Sequence, residues 1–375
     1  VWYPYSRVGE FLIKANVAFY VREKIDGFGD SDMNMELNAV DLFAGCGGLT
    51  QGMHEAGFRT CVAVEIDPVA VKAYKLNHSD TCVLEEDIRN INATKIKEIL
   101  TGVPLHLLAG CPPCQGFSSV RRLNRKQNVA DERNDLVSEY FRMIAELRPL
   151  TIMMENVPAL KDYWLFQDIV RKLRGIGYHI EVKIVNVNGY GVPQNRRRLV
   201  MVGSLLGDIA VARPQNEKVT VRNTIAHLEK PEESADSLHK IIAKHTQKVM
   251  ERIRLTPKNG GSWKDLPEHY TLECHKKAHV GFNDIYGRLR WDDYSATITG
   301  GCLNPSKGRF LHPEQDRVLT PREAALLQSF PPDYKLPTNI SKQALALLIG
   351  NALPPKFSYC QSKNIAVHIE KYCTA

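Results

Sequence analysis

The sequence predicts an α/β fold: a mainly parallel sheet covered by helices and interrupted by a smaller, less regular module. Three observations predict it. Between Leu37 and Ser204, short apolar runs alternate with helical patterns of roughly 10–15 residues, as strand–helix–strand units do. From Ser204 to about Ser295 the chain turns polar and irregular, and regular patterning returns towards the C-terminus. The length of 375 residues suits two domains of roughly 100–200 residues, or one domain with an insertion.

In chain order, FLIKANVAFYVREKI reads equally as strand or helix, and GFGDSD after it as a loop. LNAVDLF is the first clear strand, followed by the glycine-rich AGCGG and a helix, LTQGMHEAG. TCVAVEID is the next strand and PVAVKAYKLNH its helix, with Pro68 suited to a first helical turn. PLHLLAG, LTIMMEN, HIEVKIVNV and RRLVMVGS supply further strands, with DLVSEYFRMIAEL and WLFQDIVRKLRGIG as helices between them. KNGGSW is a loop within the polar region. TPREAALLQSF starts as a capped helix and FPPDYKLP breaks it. QALALLIG and PKFSYCQSKNIAVHIEKY are then the closing helices, with IGNALPP turning between them. There is no fixed-period repeat and no low-complexity tract.

With 43% hydrophobic and 24% charged residues, the chain can bury a core without disulfides or a structural metal. The nine cysteines are odd in number and scattered, and Cys61 and Cys82 sit in apolar runs. That pattern excludes a disulfide scaffold and suits a reducing compartment. No apolar run approaches the roughly 20 residues of a membrane span, so a soluble intracellular protein is expected. A net charge of +7 permits a polyanionic partner without requiring one. His239 with His245, and Cys274-His275 with His279, form no convincing ligand set, so no metal is expected.

Asp41-Leu42-Phe43-Ala44-Gly45-Cys46-Gly47-Gly48 follows a strand and opens a helix, where glycines allow a tight turn and the helix start favours an anionic group. Glu65 ends the next strand, near the spacing at which an acid binds a ribose diol, although Thr50 breaks a GxGxxG pattern. Gly110-Cys111-Pro112-Pro113-Cys114-Gln115-Gly116-Phe117-Ser118 also lies at a strand's C-terminal end, with the basic stretch Arg121-Arg122 to Arg125-Lys126 beyond it. By itself this window leaves open a redox pair, a carbon nucleophile and a structural cysteine pair. Met154-Glu155-Asn156-Val157 favours the nucleophile. Glu155 leaves an apolar strand, where a raised pKa would let it share a proton with a substrate nitrogen. In Gln194-Asn195-Arg196-Arg197-Arg198, the alternation of a strand points Arg196 and Arg198 the same way, and guanidinium groups suit phosphates and base carbonyls.

Taken together and in this order, DLFAGCGG, GCPPCQGFS, MENV, QNRRR, LTPREAALLQSFP and IGNALPP resemble the C5-cytosine-specific DNA methyltransferase family, in its bacterial modification-type form. The resemblance runs from about Leu37 to Ser204 and resumes from about Arg290; the first 36 residues match nothing. It implies a Rossmann-like S-adenosylmethionine-dependent methyltransferase sheet with a smaller target-recognition domain. The expected divisions are an N-terminal extension (1–36), a catalytic and cofactor-binding domain (37–204), the target-recognition domain (205–335) and C-terminal helices returning to the catalytic domain (336–375).

The resemblance makes Cys114 the nucleophile that adds to cytosine C6, and Glu155 the partner of N3. Arg198 would hold the base carbonyl, with Arg196 supporting the pocket. The resemblance implies S-adenosyl-L-methionine as cofactor, leaving as S-adenosyl-L-homocysteine. Phe43, Gly45, Cys46, Gly47 and Gly48 would line its pocket, Glu65 would hold its ribose and Asp87 with Ile88 its adenine. Leu136 matches an adenine-side apolar position, Ile66 also belongs to the cofactor-binding set, and Asn351 and Ala352 would close its methionine end. Ser118, Arg121, Arg122, Arg125, Gln194 and Thr297 are expected to meet DNA. Cys111 stands where the family often has Gly, and Ile66 where it often has an aromatic residue.

Double-stranded DNA with a specific cytosine site is the implied partner of a monomer that needs no physical contact with a cognate restriction endonuclease. A cytoplasmic, nucleoid-associated location would follow in a prokaryote and a nuclear one in a eukaryote. A tRNA-modifying branch shares most motifs but typically carries Cys-Phe-Thr, which does not occur here. An inactive relative should have lost Cys114 or Glu155. A disulfide oxidoreductase would leave MENV, QNRRR and IGNALPP without purpose.

Overall fold

The computed structural model describes residues 36–113, 136–215, 217–273 and 284–373. Cys114, Ser118, Arg121, Arg122, Arg125 and Lys126 lie outside the described residues, as does the N-terminal extension to residue 35.

Among the described residues, seven strands form one sheet: β1 (Leu37–Leu42), β2 (Phe58–Glu65), β3 (Cys82–Glu85), β4 (Leu107–Gly110), β5 (Thr151–Asn156), β6 (His179–Asn186) and β7 (Arg197–Ser204), in the order β3-β2-β1-β4-β5-β7-β6. The first five run parallel, and β7 runs antiparallel to both its neighbours. The chain builds outward from β1 to β3, then returns to lay β4 on the other side of β1. That reversal opens a crevice at the carboxyl ends of β1 and β4, where open α/β sheets place their ligands.

Side-chain alternation sorts the strands onto two faces. Val40, Leu42, Leu108, Ile152, Met154, Leu199 and Met201 pack on one face, with helices α3 (Ala93–Leu100), α4 (Leu136–Leu147) and α5 (Trp164–Gly175). Ala39, Leu107, Ala109, Met153, Val200 and Val202 face the other way, against α1 (Gly48–Glu55) and the last helix, α10 (Pro355–Cys373). Helix α2 (Pro68–Lys75) starts as expected, with Pro68 in its first turn and the Asp67 carboxylate accepting from Val69 N.

A second core holds Tyr286, Leu289, Trp291, Phe310, Leu311, Phe330 and Tyr334. It gathers around short helices α6 (Val221–Ile225), α7 (Gln247–Leu255) and α8 (Pro321–Leu327), the last with a capping box between Thr320 and Glu323. Leu345, Leu348 and Ile349 of α9 (Lys342–Asn351) belong to this core, while Leu353, Phe357 and Ile365 rejoin the sheet. The sequence reading passed over β3 and α3. No helix among the described residues is long and apolar enough to cross a membrane.

Candidate active site

Five strand ends line one edge of the sheet. In the order β3, β2, β1, β4, β5 they deliver Asp87, Glu65 with Ile66, Phe43, Cys111 and Glu155. The β1/β4 crevice divides this row into two halves.

The first half is organised by Glu65. Its Oε2 accepts from Gly45 N at 2.8 Å, and its Oε1 accepts from Ile66 N and Asp67 N at 2.8 Å each, so one carboxylate joins the loops after β1 and β2. Phe43 takes a left-handed conformation (φ 61°), rare for a bulky residue, at the mouth of the crevice. Gly45 has φ +56°, and the space a Cβ would occupy there is open. Gly47 is different: at φ +93°, a Cβ would come within 2.6 Å of the His78 ring and of the Tyr334 hydroxyl. Ile66 is 60% exposed, an apolar surface beside the Glu65 carboxylate.

Asp87 caps the short turn that follows it and pairs with Arg89, Nη2 to Oδ2 at 2.6 Å, which holds its carboxyl below the usual range. The Ile88 side chain is buried in the core, so the backbone is its available surface. Leu136, half-buried, begins α4; Asn351 is exposed and Ala352 buried at the end of α9. Cys46 is also turned inward. Its Sγ lies 3.3 Å from Leu348 O, and burial pushes its thiol up to about 12.

The second half follows from strand register. Glu155 of β5 lies opposite Val200 of β7, which places Arg198 diagonally across on the same face. Arg198 Nε reaches Glu155 Oε1 at 2.7 Å, a pair with little solvent exposure. Cys111, two residues beyond Ala109, continues onto this face, and burial followed by the Glu155 carboxylate raises its thiol pKa well above the ordinary value. Cys111 is therefore held as a neutral thiol. Asn156 Nδ2 donates to Pro112 O at 2.8 Å, tying the end of β5 to the loop that leads into Cys114.

Arg196 shares the face of Arg198 but is committed elsewhere. Its Nη1 donates to Ile298 O (2.9 Å) and Gly350 O (3.2 Å), clasping the second core to the sheet. Burial first, and then neighbouring Arg198, lower its pKa to about 9. Gln194 was expected to meet DNA. It is fully buried, donating to Gln328 Oε1 (2.6 Å) and Leu327 O (3.2 Å) and accepting from Ile298 N (2.9 Å), so it fastens segments together. Thr297 is half-buried, and its Oγ1 donates to Asn195 O at 2.6 Å.

The family model of C-5 cytosine-specific DNA methylases matches residues 37–366. The chain belongs to the C-5 cytosine-specific DNA methylase family. It is 33% identical over 345 residues to the Type II methylase M.HgiDII of Herpetosiphon aurantiacus, covering 88% of this chain and 95% of that one. It is 32% identical to the Type II methyltransferase M1.HphI of Haemophilus parahaemolyticus, covering 86% and 84%. Among solved structures it is similar to a protein described as a DNA modification methyltransferase encoded within a prophage (E. coli), with a TM-score of 0.69, 26% identity and coverage of 89% and 100%. Spodoptera frugiperda DNMT2 shares the fold at a TM-score of 0.61 and 19% identity, covering 91% and 100%. The activity of this DNA methylase is methylation of cytosine at C5.

Sequence reasoning gave no role to Asn156, His78 or Tyr334. MENV signalled the first, since an Asn at a strand end often bonds a neighbouring loop. The other two carry no local signal, because their partners lie far away in the chain.

Proposed function

We propose that this methylase transfers a methyl group from S-adenosylmethionine to C5 of a cytosine flipped out of double-stranded DNA, through a transient bond between Cys114 Sγ and C6. The observation that supports this most is the division of the crevice. A carboxylate-pinned loop with exposed apolar neighbours lies on one side, and the Glu155–Arg198 pair, beside the loop entering Cys114, on the other.

The residues present fit the cofactor. Glu65 offers carboxylate oxygens to a ribose diol; Phe43, Ile66 and Leu136 offer apolar surface to adenine, with Asp87 and the Ile88 backbone at its polar edge. The open space at Gly45 leaves the turn accessible, and Cys46, Gly47, Gly48, Asn351 and Ala352 close the methionine end. When bound, S-adenosylmethionine supplies an electrophilic methyl group on its sulfonium.

Cytosine C5 is a weak nucleophile. Addition of the Cys114 thiolate to C6, with Glu155 hydrogen-bonding or protonating N3, gives the ring enamine character at C5. Arg198 holds the base carbonyl and helps to orient Glu155, while Arg196 fixes the wall behind them. After methylation, the C5 proton passes to solvent, N3 returns any proton it took to Glu155, and departure of the thiolate restores the aromatic ring. Free cysteine is only a few per cent thiolate at neutral pH, so cationic Arg198 also favours the reactive form.

Flipping the nucleotide costs a few kcal/mol, offset by contacts to base and backbone. Ser118, Arg121, Arg122, Arg125, Lys126 and Thr297 are assigned to that interface, and residues 205–335 to target recognition. The Type II names of the relatives support a modification-type methylase; a monomer that needs no physical contact with a cognate endonuclease, in the cytoplasm of a bacterial host, completes this reading.

Bisulfite sequencing of DNA from cells expressing the protein should reveal methylation at one defined site. DNA carrying 5-fluorocytosine should trap a covalent adduct that Cys114→Ala abolishes. An adduct that persists in Cys114→Ala refutes the nucleophile.

A further inference from the structure

Behind the turn after β1, a chain of buried polar groups joins elements far apart in sequence. Tyr334 belongs to the segment between α8 and α9, whose side chains build the second core. Its hydroxyl lies 2.5 Å from Cys46 O and 3.1 Å from His78 Nε2. A carbonyl only accepts, so the single tyrosine proton goes to Cys46 O and the imidazole must donate from Nε2. The relay therefore reads His78 Nε2–H to Tyr334 Oη–H to Cys46 O. Burial keeps this imidazole neutral, lowering its pKa to about 4. Nδ1, the ring's remaining acceptor, is buried without a hydrogen-bond partner among the described residues.

Tyr334 is almost fully buried, and its ring packs on Phe330 with centroids 4.6 Å apart. The segment is seated on the end of α2: Asn77 Nδ2 donates to Lys335 O, and Lys335 N donates to Asn77 Oδ1, both at 2.8 Å. Arg322 Nη1 also donates to Tyr334 O at 3.0 Å. The hydroxyl is thus delivered by a rigid support. It contacts the turn at the peptide between Cys46 and Gly47, and the missing Cβ of Gly47 is what admits it. Two peptides earlier, Gly45 N is fixed by Glu65.

We propose that Tyr334 is a positioning residue for the cofactor. Its hydroxyl sets the orientation of the Cys46–Gly47 peptide, so that the turn presents its cofactor-facing groups ready-made. The second core thereby takes part in cofactor affinity although its side chains lie behind the turn. This rests on the reading that the turn binds S-adenosylmethionine.

Tyr334→Phe removes one oxygen and keeps the ring against Phe330. Calorimetric titration of S-adenosylhomocysteine into the DNA-free protein reads the effect directly. The dissociation constant should rise roughly three- to tenfold, the value of one well-made buried hydrogen bond. KM for S-adenosylmethionine should rise by a similar factor, with kcat at saturation and DNA affinity nearly unchanged. His78→Phe should reproduce the direction of the effect by leaving the hydroxyl without its donor.

Wild-type protein that fails to bind S-adenosylhomocysteine would sink the cofactor reading and this inference with it. Normal wild-type binding with an unchanged constant in Tyr334→Phe would overturn this inference alone. So would a parallel loss of cofactor affinity, DNA affinity and melting temperature, which would mark Tyr334 as a general packing residue.

Discussion

Two arginines from one short motif are sent to different tasks by their surroundings. Arg198 meets a carboxylate, whereas Arg196 meets only carbonyls and holds two parts of the molecule together. Arg196→Met should therefore lower stability by about 2–4 kcal/mol, because buried carbonyls of residues 298 and 350 lose their donor. Urea unfolding measures this, and a change under 1 kcal/mol would contradict the clasp. Glu155→Gln keeps the shape but removes the charge opposite Arg198 and the proton site for N3. Its kcat should fall by about 10²–10⁴, with KM for cofactor little changed. Steady-state kinetics on methylatable DNA test it, and retention of more than a tenth of wild-type kcat would deny Glu155 its role. Strand alternation in the sequence points Arg196 and Arg198 the same way, and an apolar strand end marks Glu155; that Arg198 meets Glu155 follows from the pairing of β5 with β7, which the sequence does not disclose. The burial of Gln194 was not legible, because a buried amide and a base-reading amide look alike until their partners are known.

At the scale of elements, apolar runs disclose every strand except β3, whose short run at the sheet edge has an exposed first residue and reads only as an apolar setting for Cys82. Helix α3 was overlooked although Asn92 caps it, since its core contacts are few, chiefly Ile96 and Leu100. The second core was illegible for a physical reason. It rests on turns and buried charges, such as Arg288 bonded to the carbonyls of Thr256, Ile253 and His312, and these leave no periodic trace. The turn after β1 was legible as a glycine turn, but the reasons for its glycines differ. Gly47→Ala must displace His78 and Tyr334, and should cost about 2–4 kcal/mol in stability. Gly45→Ala meets open space and should cost only about 1 kcal/mol for its left-handed backbone, while cofactor affinity falls clearly. Thermal unfolding paired with cofactor titration separates the two, and equal losses of stability would show that the turn is uniformly packed.

For the molecule as a whole, burial of ionisable groups sets two opposing slopes of stability with pH. Burial lowers the pKa of His78 and of His312 from 6.5 to about 4. Between those values the unfolded chain binds protons that the folded chain refuses, so this contribution is full above pH 6.5 and lost as the pH falls towards 4. Asp41 works in the reverse sense. Its carboxyl is fully buried; Thr50 Oγ1 donates to its Oδ2 at 2.7 Å, and Oδ1 has no donor among the described residues. Burial pushes its pKa from 3.8 up to about 7. Between those values the folded chain holds a proton that the unfolded chain has released, so stability from this group falls as the pH rises and levels off above 7. Asp41→Asn removes only the second slope. Relative to wild type, the variant should gain about 2–3 kcal/mol between pH 5 and pH 8, while the acid limb due to the histidines becomes steeper. Urea unfolding of both proteins at the two pH values measures the difference. A gap between them that does not change with pH would mean that Asp41 is ionised throughout, and that the crevice floor beneath β1 carries a full negative charge.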